Sequence, residues 1–350
     1  MGEAFGAATT RVGESVFNTA MTGYQEILTD PSYAEQIVCM TAPQIGNTGI
    51  NLEDEESERV WASGLIVRSL TRGPSNWRST GGLHQYLAER GVPGMQGIDT
   101  RALVRHLRDR GAMRCVLSTD GTPEGELLER MGAWPGMIGR NLAFEATCRA
   151  PYVLANPDKP TVRFSVVDGG IKRNILRLLE QSGSYVRVHP ITDPAEAWMD
   201  GVDAVLVGNG PGDPAALGGP IDELKKVLGK KPVVGICLGH QLLGRAIGAE
   251  TYKLKFGHRG GNQPVRDERT GRIEITSQNH GFGVDRASLE KAGARVTHTH
   301  LNDGSVSGFV HDESRAFAVQ YHPEAAPGPH DARSILLQQF VRFARGEDPV

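Results

Sequence analysis

Cys237 has the clearest potential for chemistry, because it stands between glycines in the stretch GICLGHQLLG, residues 235–244. An apolar run precedes it and a helix-like pattern follows, and the glycines remove side chains that would clash in a sharp strand-to-helix turn. Such a turn exposes a nucleophile beside a backbone N–H that can bind an oxyanion, while the helix N-terminus favours a thiolate. The pattern indicates a cysteine nucleophile. The alternative is a small buried core residue, as most free cysteines are.

A cysteine nucleophile needs a base, and the stretch YHPE offers His322, with Glu324 two residues further on. The stretch follows the apolar run AFAVQ, so it falls at the end of a predicted strand. Pro323 favours an extended backbone, which lets the imidazole and the carboxylate lie on the same side, where Glu324 could orient the ring. The alternative, a His-Pro turn at the surface, stays open on these residues. His280, in QNHGF, could line a pocket.

The loop GNGPGDP, residues 208–214, is rich in glycine and proline and follows an apolar strand pattern. It lacks the last glycine of the G-x-G-x-x-G pattern of a dinucleotide-binding loop, and no helix start follows it. We interpret it as a rigid loop that presents backbone N–H groups. The sequence contains no G-x-x-x-x-G-K-[ST] motif, so no P-loop for ATP is predicted.

Residues 161–350 alternate between apolar strand patterns and amphipathic helix patterns before turning to short strands and a final helix at 331–345. Strands that are apolar throughout, each followed by a helix, predict a parallel sheet covered on both faces. Ligands of such sheets bind beyond the carboxyl ends of the strands, where Cys237 and the 208–214 loop both fall. The predicted class is α/β, with a mostly parallel central sheet flanked by helices.

The first half of the chain predicts a separate α/β domain over residues 1–144, with amphipathic helices in 80–91 and 99–111. Residues 145–160 contain three prolines and no clear periodicity, which predicts a linker. The third segment, 161–350, would form the second domain.

Composition narrows the classes of function. The net charge is −3 and no basic cluster dominates, which disfavours nucleic acid as a partner. No apolar run is long enough to span a bilayer and no secretory signal is recognised, so a cytoplasmic protein is expected. The other cysteines, Cys39, Cys115 and Cys148, are widely spaced and form no C-x-x-C pair, which predicts free thiols and no metal site.

The stretches GICLGHQLLG, YHPEAAPGPHD, NGPGDP and SQNHGF together closely resemble the class I, or triad, glutamine amidotransferases. In the first half, VFNTAMTGYQEILTDPSYAEQIV and GIDTRALVRHLRDRGA resemble the small, glutamine-hydrolysing subunit of carbamoyl-phosphate synthase. The resemblance spans essentially the whole chain. It implies a catalytic triad of Cys237, His322 and Glu324. It also implies contacts to glutamine or its tetrahedral intermediate from a further set: Ser32, Gly210, Gly212, Leu238, Gln241, Asn279, Gly281 and Phe282.

The resemblance implies hydrolysis of L-glutamine through a cysteine thioester and transfer of the ammonia to a large synthetase subunit docked mainly by the first domain. That partner would use ATP, with Mg²⁺ or Mn²⁺, and bicarbonate to make carbamoyl phosphate for arginine or pyrimidine synthesis, and this chain would need no cofactor. The sequence departs from the family at Gly169, Gly208 and Gln263, where Phe, Ser and His are usual, and it starts later than most members. Two alternatives remain: a glutaminase serving another synthetase, and a non-catalytic binding module.

Overall fold

The computed structural model describes residues 1–325 and 331–347, without the side chains of 331–337. The chain divides into two compact units. Unit 1 comprises Met1–Ile138 together with Lys255–Gly260, and unit 2 comprises Gly139–Leu254 together with the described residues from Gly261 onward.

Unit 1 combines short strands with four helices among its described residues. Its elements are β1 Glu3–Gly6, β2 Thr10–Asn18, α1 Tyr24–Thr29, β3 Gln36–Met40, β4 Gln44–Ile45, β5 Gly64–Ile66, β6 Ser69–Leu70, α2 Leu83–Glu89, β7 Pro93–Gln96, α3 Thr100–Arg110, β8 Met113–Ser118 and α4 Glu124–Ala133.

A mixed six-stranded sheet with the order β1-β7-β5-β3-β2-β8 forms the centre of unit 1. The central pairs β2/β3, β3/β5 and β5/β7 are parallel, and both edge pairs are antiparallel. Strand β3 is buried throughout, because Val38 and Met40 pack into one apolar cluster while Ile37 and Cys39 pack into another. This alternation explains why β3 reads as a continuous apolar run.

Unit 2 follows the predicted alternation of strands and helices. Its elements are α5 Ala143–Ala146, β9 Tyr152–Ala155, β10 Arg163–Asp168, α6 Arg173–Gln181, β11 Tyr185–Pro190, α7 Ala195–Met199, β12 Ala204–Val207, α8 Gly218–Val227, β13 Val233–Ile236, α9 Leu238–Ala246, β14 Thr251–Asp267, β15 Ile273–Val284, α10 Arg286–Lys291, β16 Arg295–His300, β17 Val306–His311, β18 Ala316–Val319 and α11 Asp331–Ala344.

The main sheet of unit 2 has the order β15-β14-β16-β17-β18-β13-β12-β10-β11-β9, and its strands from β18 to β11 run parallel. Every residue of β12 is buried, with Val205 and Val207 on one face and Ala204 and Leu206 on the other. Apolar side chains on both faces require cover on both sides, as in other parallel sheets. The predicted α/β class with a mostly parallel central sheet is therefore confirmed.

The segment 145–160 differs from the predicted linker, because it belongs to unit 2 and contributes a strand to its sheet. Residues Tyr152–Ala155 form β9, which pairs antiparallel with β11 at the edge. The prolines on both sides of this short run hid the strand. The continuous predicted boundaries also miss Lys255–Gly260, which group with unit 1.

Membrane insertion finds no support among the helices of residues 1–325 and 331–347. None of them is both long enough and apolar enough to cross a bilayer.

Candidate active site

Cys237 occupies the turn between β13 and α9 with φ 55° and ψ −102°, a conformation that is strained for a residue with a side chain. The glycines on either side are required by close packing. A Cβ on Gly239 would lie 2.1 Å from the carbonyl oxygen of Val207, and one on Gly235 would lie 2.7 Å from the carbonyl carbon of Gly239. Backbone strain of this kind costs on the order of 1–3 kcal/mol and concentrates at functional sites.

His322 reaches the same edge of the sheet from the neighbouring strand. Strands β13 and β18 are parallel, and Ile236 lies opposite Val319 in their register. The backbone N–H of Cys237 donates to the Val319 carbonyl at 2.9 Å, and that of His322 donates to Ser277 at 2.8 Å. Both side chains therefore lie just beyond the carboxyl ends of adjacent strands, where the sequence predicted them.

Glu324 orients the imidazole of His322. Its Oε1 lies 2.6 Å from Nδ1 of His322, and both side chains are almost completely buried. Among the described residues, Nε2 of His322 makes no hydrogen bond of ordinary length. The ring is thus held through one nitrogen, and the other is left for the thiol or a bound substrate.

The charges around His322 favour its protonated form. Burial and the Lys172 ammonium lower the pKa of His322, but Glu324 and Cys237 outweigh them and raise it above its ordinary value. Burial alone would raise the pKa of Glu324. The positive charges of His322 and Lys172 outweigh this effect and hold the pKa of Glu324 below its usual range. An imidazolium next to a carboxylate can give a proton to a leaving nitrogen.

Two residues of the stretch GGIKRN support Glu324 and were missed by sequence reasoning. Nζ of Lys172 lies 3.2 Å from Oε1 of Glu324, with only 8% of the lysine side chain exposed. The side-chain amide of Asn174 donates to the backbone carbonyl of Glu324 at 2.5 Å. The signal that could have found them is their position after β10, another parallel strand of the same sheet, whose carboxyl end meets the same edge.

The 208–214 loop lies against the turn that carries Cys237. The N–H of Gly239 donates to the carbonyl of Gly208 at 3.1 Å. A Cβ on Gly210 would lie 2.2 Å from the carbonyl oxygen of Gly169 and 2.8 Å from the side chain of Leu238. Leu238 is the first residue of α9, so the two predicted oxyanion donors, Gly210 and Leu238, come from adjoining backbone segments.

The unusual Gly208 has a local explanation. A Cβ at this position would meet three atoms of Ile171, at 2.9, 3.0 and 3.2 Å. Ile171 therefore occupies the space in which a larger residue at position 208 would sit. The departure from the family pattern is a change in packing next to the site.

Residues 279–282, which the sequence predicted as a turn, belong to strand β15 and contact Cys237. The thiol donates to the Asn279 carbonyl at 3.7 Å. Nε2 of Gln241 donates to the Phe282 carbonyl at 2.9 Å and to Oε1 of Gln320 at 3.0 Å. Gly281 lies between Asn279 and Phe282 in β15, so these predicted glutamine contacts are neighbours.

Two predicted residues need separate mention. Gly212 adopts φ +99° in the 208–214 loop, which favours glycine. Ser32 belongs to unit 1, where it is buried in the short 3₁₀ turn Pro31–Tyr33 and its N–H donates to Oδ1 of Asp30 at 2.9 Å. Within the motif YHPEAAPGPHD, residues 326–330 lie outside the described residues.

The other three cysteines are poor nucleophiles. Burial raises the pKa of Cys39 to about 12 and that of Cys115 to about 11. Burial, reinforced by the neighbouring Asp168 carboxylate, raises the pKa of Cys148 to about 12. These thiols stay protonated at neutral pH, so they lack the thiolate that reacts.

Comparison with known proteins agrees with this geometry. Residues 165–342 match the class I glutamine amidotransferase family. The parallel sheet, the cysteine on its strained turn and the buried His–Glu pair thus belong to a class I glutamine amidotransferase.

The particular family follows from the whole chain. Residues 1–117 match the CPSase domain of the carbamoyl-phosphate synthase small chain. The carbamoyl phosphate synthase small chain of Syntrophotalea carbinolica is 50% identical, covering 98% of this chain and 93% of the relative. That of Streptomyces avermitilis is 49% identical, covering 99% and 93%, and the chloroplastic one of Arabidopsis thaliana is 48% identical, covering 98% and 82%. This chain belongs to the carbamoyl-phosphate synthase small-chain family.

Proposed function

We propose that Cys237, His322 and Glu324 carry out the glutamine hydrolysis of this small chain. The observation that carries the proposal is the strained Cys237 turn, with the buried His322–Glu324 pair at the end of the adjacent parallel strand. A nucleophile, its base and an orienting carboxylate in this order form the usual unit for acyl transfer.

The steps follow from the positions of the groups. The proton of the Cys237 thiol passes to His322, and the sulfur attacks the side-chain amide carbon of glutamine. Backbone N–H groups of Leu238 and Gly210 would bind the resulting oxyanion; one such donor is typically worth about a hundred- to a thousandfold in rate. The His322 imidazolium then protonates the nitrogen, and ammonia leaves a γ-glutamyl thioester. Water, deprotonated by His322, releases glutamate and restores the thiol.

The remaining predicted contacts concern recognition of the substrate. Glutamine carries an α-amino and an α-carboxylate group, which need polar partners. Gln241 and the stretch of β15 with Asn279, Gly281 and Phe282, next to Cys237, would supply such partners. We include Gly212 and Ser32 in the same assignment on the basis of the family motif.

The partner of a small chain is the large synthetase subunit. We propose that it receives the ammonia and uses bicarbonate and ATP with Mg²⁺ or Mn²⁺, so that this chain itself holds no cofactor. The absence of a P-loop motif from the sequence supports this division of labour. Carbamoyl phosphate would then enter arginine or pyrimidine synthesis in the cytoplasm, with neither nucleic acid nor membrane as a partner.

The test is the Cys237→Ser variant in complex with the large subunit. Glutamine-dependent synthesis should be abolished, while synthesis from added ammonia continues, because the ammonia chemistry takes place in the partner. Cys115→Ala is the matched control and should retain both activities. More than a few per cent of the glutamine-dependent rate in Cys237→Ser would exclude this residue as the nucleophile.

A further inference from the structure

Asp213 makes contacts that extend beyond its own turn. It lies at the end of the 208–214 loop and is 5% exposed. Its Oδ1 accepts the N–H of Ala215 at 2.8 Å, and its Oδ2 accepts the N–H of Gly139 at 2.9 Å. Its own N–H donates to the carbonyl of Arg140 at 2.8 Å. Three hydrogen bonds therefore fix this residue, and two of them reach a segment more than seventy positions earlier in the chain.

The segment 139–142 also touches the loop next to Asp213. A Cβ on Gly212 would lie 2.6 Å from the carbonyl oxygen of Arg140 and 2.9 Å from the backbone nitrogen of Leu142. The two backbones thus run in contact, and a glycine is required at this point. The other end of the loop is tied to the Cys237 turn through Gly208 and Gly239.

We propose that Asp213 is a positioning residue for glutamine hydrolysis, which clamps the 208–214 loop to segment 139–142 and so holds the Gly210 N–H in place for the oxyanion. The inference rests on the proposed function. An oxyanion donor contributes only if it is fixed before the reaction, and a displacement of about 1 Å can cost roughly a hundredfold in rate. Gly210 has no side chain to fix it. On one side it is held by its packing against Gly169 and by Asn209, which accepts the N–H of Lys172 at 3.0 Å and donates to the Gly170 carbonyl at 3.1 Å. On the other side its position depends on Asp213.

The two carboxylate oxygens have separable tasks. Oδ1 caps the 3₁₀ turn Pro214–Ala216, and a serine could also do this. Oδ2 holds Gly139, which the cap does not require. Asp213→Asn keeps the shape but has one acceptor oxygen, so an amide N–H₂ must face one of the two N–H donors. Asp213→Ser keeps the cap and loses the clamp.

The experiment measures glutamine hydrolysis by the complex with the large subunit for the wild type and both variants. We expect kcat to fall about tenfold to a hundredfold, with KM for glutamine within threefold and ammonia-dependent synthesis unchanged. Asp267→Asn is the matched control, since Asp267 also accepts two backbone N–H groups, from Arg269 at 2.8 Å and Thr270 at 3.2 Å, within its own turn. It should keep the wild-type kcat.

The inference is overturned if kcat of Asp213→Asn stays within twofold of the wild-type value. It is also overturned if kcat/KM falls only because KM for glutamine rises. A purely structural role would lower kcat only in proportion to the folded fraction, which thermal unfolding of each variant measures. If Asp213→Asn does not fold, Asp213→Ser is judged by the same criteria. An active Cys237→Ser enzyme would contradict the proposed function itself, whereas an inactive one beside a fully active Asp213→Asn would contradict only this inference.

Discussion

His298 shows how burial sets the chemistry of a single residue. Its ring packs edge-on against Tyr321, the residue before His322, with centroids 5.7 Å apart. Its Nδ1 lies 2.9 Å from the hydroxyl of Thr297. Burial lowers the pKa of His298 to about 4, although the carboxylates of Asp267 and Glu268 partly oppose this. The ring is therefore neutral at pH 7, so its burial carries no cost of burying a charge at that pH.

Acid should destabilise unit 2 through this residue. The unfolded chain binds a proton at His298 below pH 6.5, whereas the folded chain does so only near pH 4. The free energy of unfolding is therefore unaffected by His298 above about pH 6.5. Below that pH it decreases, by up to about 1.4 kcal/mol per pH unit for this one site. Denaturant unfolding between pH 7.5 and 4.5 measures this slope, and His298→Asn should reduce it.

His106→Asn, on an exposed position of α3, is the control for that measurement. Parallel slopes for the wild type and His298→Asn would show that this residue does not account for the acid sensitivity.

At the residue scale, sequence reasoning found the groups with distinctive local patterns and missed those without them. Cys237 and His322 are marked by glycines and by the end of an apolar strand. Lys172 and Asp213 act through partners 152 and 74 positions away, at Glu324 and Gly139. No local hydrophobic periodicity or motif predicts such a pairing, because the two residues meet only when the strands are arranged side by side in the sheet.

At the scale of elements, the turn between β13 and α9 depends on backbones that approach closely. The nitrogen of Gly239 donates to Gly208, and its Cα faces the carbonyl of Val207. Both partners lie at the carboxyl end of β12. The position of α9, and with it the direction of the Cys237 side chain, is therefore set by the absence of a Cβ at residue 239.

Gly239→Ala should displace α9 from β12. The new Cβ would lie 2.1 Å from a backbone oxygen that cannot rotate away. Overpacking of this kind costs typically about 1–3 kcal/mol, and the shift should lower kcat at least tenfold by misplacing Cys237. Thermal unfolding and glutaminase kinetics give the two readouts.

Gly132→Ala is the matched substitution in α4, where a Cβ would meet nothing within 4 Å. It should raise stability by up to about 1 kcal/mol, because alanine is the better helix former. A Gly239→Ala enzyme with normal kcat would mean that α9 can shift without moving the thiol.

Strands and helices of unit 2 were predictable because apolar runs and amphipathic patterns alternate there with glycine punctuation. Unit 1 was less legible, since β4 and β6 contain only two residues each and cannot show a period. Strand β9 was missed because prolines flank a run of four residues. Short elements are specified by the neighbours they pair with, and a single local pattern does not reveal them.

At the scale of the whole molecule, the small chain is expected to hand ammonia directly to its large partner. Ammonia released into water at neutral pH becomes ammonium, which is no nucleophile, so transfer without release preserves its reactivity. With ¹⁵N-amide glutamine and an excess of unlabelled ammonium, most carbamoyl phosphate made by the complex should carry the label. Mass spectrometry of the product checks this, and a label diluted to the composition of the medium would show that the ammonia escapes.

The return of Lys255–Gly260 to unit 1 has a consequence for how such a gene can be rearranged. Within unit 1, Phe256 packs against Phe17 with ring centroids 5.6 Å apart, and the buried Arg259 hydrogen-bonds to Gln36. A single break in the gene near codon 139 would therefore give one fragment without the contacts of Phe256 and Arg259, and a second fragment in which these two residues have lost their partners. A fusion that transfers unit 2 alone would carry these six residues without their unit 1 partners, so we expect it to need substitutions within Lys255–Gly260.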